Sequence, residues 1–65
     1  MMQYFFRVII QNATTKESKL KFVTLESMDD LSIVFSDAYD EAFKLLEDPA
    51  QWYIRELHLL KYEVM

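Results

Sequence analysis

A chain of 65 residues with no cysteine has to hold itself together by packing alone. Disulfides and thiolate metal sites, the usual staples of domains this small, are excluded. The single histidine, His58, rules out a two-histidine metal site as well. What remains is a dense apolar core in one domain spanning residues 1–65, or self-association. Hydrophobic residues make up 52% of the chain, with five Phe, four Tyr and one Trp, which serves either route.

The order of sequence patterns predicts β-β-α-β, an α+β domain in which one main helix packs on a small antiparallel sheet. Tyr4–Gln11 is aromatic and β-branched and reads as a strand. Asn12–Ser18 is polar and turn-like, so the Asn12-Ala13-Thr14 triplet reads as a turn and not as a glycosylation site. Lys19–Leu25 reads as a second strand, antiparallel to the first. Ser27, with Asp30 three residues on, has the form of a capping box in which Asp replaces the usual Glu. Leu31, Val34, Phe35, Ala38, Ala42, Leu45 and Leu46 then recur at helical spacing until Pro49, which cannot continue a helix. The segment Leu31–Phe35 (LSIVF) also has strand propensity, but the uninterrupted apolar period favours a single long helix. Trp52–Val64 reads as a long final strand.

This architecture leaves apolar surface on both sides of the sheet. Alternation aims Tyr4, Phe6, Val8 and Ile10 at the helix, and Phe5, Arg7, Ile9 and Gln11 away from it. In the last strand, strict alternation puts Tyr53, Leu57 and Leu59 on one face and Ile54, His58, Leu60, Tyr62 and Val64 on the other. One helix covers one face only. The other, carrying Phe5, Ile9, Ile54, Leu60 and Tyr62, is expected to form a homodimer or to meet a partner, unless a C-terminal tail folds back over it.

Charge is unevenly distributed along the chain, which nets −4. Residues 1–25 carry Arg7, Lys16, Lys19 and Lys21 against Glu17, a net +3. Residues 26–48 carry Glu26, Asp29, Asp30, Asp37, Asp40, Glu41, Glu47 and Asp48 against Lys44, a net −7. A net negative chain is a poor match for nucleic acid, whose binders neutralise phosphates, so no direct nucleic-acid contact is expected. No apolar run approaches membrane-spanning length, and Arg7 interrupts the apolar start that a secretion signal would need.

Nothing in the chain points to catalysis. With no glycine there is no phosphate-cradling loop and no nucleophile elbow. His58 has no cysteine to pair with, and no serine stands at a spacing that suggests a triad. Asp37, Asp40 and Glu41 lie about a turn apart, as a cation site requires, but without the rigid loop that such sites use. Neither a metal nor a cofactor is expected.

The residue that stands out is Ile33. At about 100° per residue the apolar stripe runs along Leu31, Phe35, Ala38 and Ala42, while Ile33 falls on the opposite side among acidic residues. An apolar side chain within a rim of Asp29, Asp30, Asp37 and Asp40 has the form of an interface anchor. These five residues make up the expected partner-binding site.

The pattern Arg7-Val8-Ile9-Ile10, then Lys16-Glu17-Ser18, then Asp29-Asp30-Leu31 after a ten-residue strand interval, resembles the Dmd antitoxin family (discriminator of mRNA degradation) of T-even bacteriophages. The likeness covers about half the chain without gaps, and beyond residue 40 it is one of pattern only. The family pattern has a tryptophan where this chain has Ile33, so the apolar character is kept and the size is not. The resemblance implies a phage protein of the host bacterial cytoplasm that binds and blocks an endoribonuclease toxin of the RnlA/LsoA type, protecting phage mRNA. Two other readings compete with it. One is an acidic DNA mimic that inhibits another host enzyme, such as a uracil-DNA glycosylase. The other is a structural dimeric phage protein.

Overall fold

A computed structural model describes all of residues 1–65. The chain forms β1 (Met2–Asn12), β2 (Ser18–Ser27), α1 (Leu31–Phe43) and β3 (Trp52–Val64), the predicted β-β-α-β order. The three strands make one antiparallel sheet in the order β2-β1-β3, and α1 packs across one face. Leu31–Phe35 is helical, as the apolar period favours.

β1 takes the centre because its helix-facing row is apolar from Met2 to Ile10, and Phe5 and Ile9 add apolar area on its other face. Its even-numbered side chains Tyr4, Phe6, Val8 and Ile10 are buried under the helix, and its odd-numbered ones are half-buried. From above, Val34, Ala38 and Ala42 close the core, with Val23 of β2 and Leu46 beyond the helix end. Two alanines on the packing face bring the helix axis close to the sheet. Phe35 sits at the edge of the core, its ring meeting Phe6 edge-on at 5.2 Å.

The turn between β1 and β2 is built by Asn12. Its buried Oδ1 accepts hydrogen bonds from the amides of Thr14 (2.8 Å) and Thr15 (2.9 Å). Its own amide donates to the Glu17 carbonyl at 2.8 Å, and its carbonyl accepts from Lys16 at 2.9 Å. With no glycine available, Lys16 takes the left-handed conformation itself, at φ 65°. That costs a non-glycine residue about 1 kcal/mol, of which glycine's extra unfolded-state entropy would return roughly half. Lys16→Gly should therefore raise stability by about 0.5 kcal/mol, read as a melting temperature about 2–4 °C higher. No rise would mean that the turn holds Lys16 by some further contact.

The helix begins differently from the expected capping box. Asp30 is the N-cap and makes no side-chain cap bond. Ser27 is occupied elsewhere: its hydroxyl accepts from the Asp29 amide at 3.0 Å and donates to the Asp29 carboxylate at 3.3 Å. A partner two residues away claims the hydroxyl before it can reach Asp30 or the helix. The apolar stripe is also shorter than its sequence period, since Leu31 and Leu45 at its ends are exposed. α1 stops at Phe43, and tighter three-residue bonds (Leu45 amide to Ala42 carbonyl, Leu46 amide to Phe43 carbonyl) carry the chain on and bring Leu46 into the core.

The largest departure from the expected arrangement lies in β3. Its register against β1 skips Arg55, between Ile54 and Glu56, and Leu60, between Leu59 and Lys61. Each extra residue is a bulge that shifts the alternation by one. Cross-strand partners share a face, so Trp52, Ile54, Leu57, Leu59, Tyr62 and Val64 lie on the helix side, paired with the even-numbered residues of β1. Tyr53, Glu56, His58 and Lys61 lie on the open side. Strict alternation thus misplaces Ile54, Tyr62 and Val64, which do not belong to the uncovered face, and Tyr53, which lies there and not beside Leu57 and Leu59. Residues up to Val64 stay in β3, so none of them folds back over that face.

Candidate protein interface

The outer face of α1 is assembled from one side of the helical wheel. Ile33, Ser36, Asp40 and Phe43 fall at i, i+3, i+7 and i+10, on a line opposite the buried Val34, Ala38 and Ala42. Asp37 lies beside this line, one turn from Ile33. Asp29 and Asp30 stand at the N-terminal end, in the segment that leads into the helix. The structure therefore brings together four of the five expected residues along about 15 Å of helix, with Asp29 just beyond. Ile33 is 47% exposed, as an anchor available to a partner would be.

The acidic rim has few internal counter-ions. Glu41 pairs with Lys44 at 3.1 Å and Glu47 with Lys19 at 3.7 Å. Asp29, Asp30, Asp37 and Asp40 pair with no cation of the chain. Asp30 draws some compensation from the positive end of the helix it caps. Asp37 and Asp40, in the middle of the helix, have none. Such carboxylates are well hydrated when free, and a partner's Arg or Lys can replace that water.

One residue of this face escaped the sequence reading. Phe43 is 47% exposed at the far end of the line that starts at Ile33, so two apolar side chains bracket Asp40. The same wheel that sets Ile33 apart would also have shown Phe43 on the outer side. Tyr39, also exposed, borders the line on the β3 side.

A second apolar feature adjoins the start of the helix. Met2, Tyr4, Leu31, Leu59 and Tyr62 line a cleft of ≈ 200 Å³, open because α1 sits nearer β2 than β3. It contains no ionisable side chain other than its two tyrosines. Elsewhere, no three His, Asp or Glu side chains converge on a point, Asp37, Asp40 and Glu41 included. No helix is long and apolar enough to cross a membrane.

No family model, curated protein or solved structure matches the chain.

Proposed function

We propose that the chain acts by binding, as a phage antitoxin that lays the outer face of α1 into the substrate cleft of a bacterial endoribonuclease toxin of the RnlA/LsoA type. The observation that carries this reading is the set of carboxylates without an internal ion-pair partner, Asp29, Asp30, Asp37 and Asp40, around the half-exposed Ile33. A nuclease has to hold a phosphodiester chain, so its cleft presents Arg and Lys side chains. Helix carboxylates spaced by one to three turns offer those cations anionic partners in place of phosphates. Ile33 and Phe43 add apolar contact, which RNA phosphates lack and which distinguishes a protein inhibitor from substrate. Inhibition by this route is stoichiometric and competes with RNA. The host bacterial cytoplasm is where such a toxin and phage mRNA meet.

Co-expression with RnlA-type and LsoA-type toxins tests the reading: growth should be rescued, and the purified pair should co-elute. Absence of rescue together with inhibition of uracil-DNA glycosylase would move the assignment to DNA mimicry. The rim charges make a kinetic prediction of their own. Reversing Asp37 and Asp40 to lysine should slow association by about tenfold or more and flatten its dependence on salt, because such charges steer encounter. The dissociation rate should change much less. An unchanged association rate would remove the acidic rim from the interface.

A further inference from the structure

The open face of the sheet is the largest surface that the binding helix does not use. Its residues fall into rows set by the β1 register. Phe5 stands between Thr24 and Lys61, Arg7 between Phe22 and His58, and Ile9 between Leu20 and Glu56. The middle of the β2 side is apolar and exposed, with Leu20 at 55% and Phe22 at 63%, between Ser18 and Glu26 at its ends. The β3 side is charged: the Lys61 ammonium donates to Glu63 at 3.1 Å, Arg7 pairs with Glu56 at 3.5 Å, and the Arg7 row separates Lys61 from Glu56. These two lie four β1 positions apart, about 13 Å along the strands, and do not form an ion pair within the chain.

We infer that this face pairs with a second copy of the chain about a two-fold axis that crosses the strands at the Arg7 row. Such an axis exchanges the Phe5 and Ile9 rows. Lys61 of each copy then comes over Glu56 of the other, twice by symmetry. Phe5 meets Ile9, and Phe22 meets its own mate. The Arg7 pair on the axis is tempered by Glu56 of the same chain, 3.5 Å from the Arg7 guanidinium. The charge pattern is thus self-complementary in this one register. An axis parallel to the strands through β1 would instead place the apolar β2 side over the charged β3 side.

The area suits a weak dimer. Three strands about 4.8 Å apart and about 36 Å long outline roughly 500 Å² per copy. Projecting side chains raise the accessible area above that outline, which brings two copies to about 1,200 Å², the lower end of specific interfaces. Because α1 lies on the opposite face, dimerisation leaves both binding helices free, and the inference holds whatever the helix binds.

Sedimentation equilibrium on the full chain over a range of concentrations tests this. The wild-type chain should pass from monomer to dimer. Phe22→Asp, at an exposed site, should remain monomeric with an unchanged circular dichroism spectrum. Lys61→Glu and Glu56→Lys should each weaken the dimer at least tenfold, and the double variant should lose less than the two single losses combined, because the reversed pair still meets across the axis. Lys61 and Glu56 lie about 13 Å apart within one chain, so that coupling arises between copies. A chain that stays monomeric to about a millimolar would overturn the proposal. So would a dimer that survives Phe22→Asp, or a double variant whose loss equals the two single losses combined.

Discussion

Phe6→Ala should leave much of the protein unfolded at room temperature. Phe6 has no exposed surface, lies midway along the central strand, and faces Val23 and Leu59 across the two ladders. Its ring also forms the edge-on contact with Phe35. Truncating a buried phenylalanine costs about 3–5 kcal/mol, because the chain loses the transfer free energy and keeps a cavity. At about 0.05–0.15 kcal/mol per residue, a domain of this length has roughly 3–10 kcal/mol in total. The fluorescence of Trp52 offers a direct probe in urea, since Trp52 packs against the core on β3, with the Lys19 ammonium 4.8 Å from its ring centre. Met28→Ala, an exposed apolar side chain between β2 and α1, is the control and should shift stability by only about 0.5 kcal/mol. Equal costs at the two sites would mean that the helix does not close the core over β1.

Ile33→Ala should do the opposite, reducing binding while leaving the fold intact. Truncating an interface anchor typically costs about 2 kcal/mol, or roughly thirtyfold in affinity for the toxin. Stability should hold or rise slightly, since alanine is the better helix former by a few tenths of a kcal/mol. Calorimetric titration of the toxin gives the first quantity and thermal melting the second. Phe43→Ala should show the same division at the other end of the helix face. If Ile33→Ala bound the toxin as tightly as the wild type, the helix face would not be the interface. If it unfolded the chain, Ile33 would belong to the core.

The contrast between these two residues was legible in the sequence, because both rest on period. Phe6 belongs to the even-numbered row of a strand, and Ile33 falls off the apolar stripe of a helix. Element order and the helical state of Leu31–Phe35 were legible for the same reason. What period cannot show is where it breaks. Nothing in the Ile54–Leu60 stretch marks Arg55 or Leu60 as bulged, since bulges are defined by the partner strand and not by the bulged residues. The consequence was a wrong face for Tyr53, Ile54, Tyr62 and Val64. The helix start failed differently: Ser27 had two acidic partners within reach, and proximity in the chain favoured Asp29 over the capping arrangement with Asp30. At the site, the acidic rim and Ile33 were readable, whereas the lack of internal counter-ions required the fold, because it depends on where the lysines of other elements end up.

The central position of β1 has a consequence for how the protein is made. β1 meets β2 across the five residues 13–17, but its other edge pairs with β3, and residues 13–51 separate the two. A hairpin closes in microseconds. At about 5–20 residues per second, a ribosome takes roughly 2–8 s to add the 40 residues from Asn12 to Trp52. Until β3 has followed it out of the ribosome, the most apolar strand has a bare hydrogen-bonding edge. Arg7 is the only charged side chain in that strand, and it stands at the middle of it. In a parallel, in-register stack of such strands every Arg7 would lie against another. A residue that contributes one ion pair to the finished sheet is therefore also a gatekeeper, opposing aggregation before the third strand arrives.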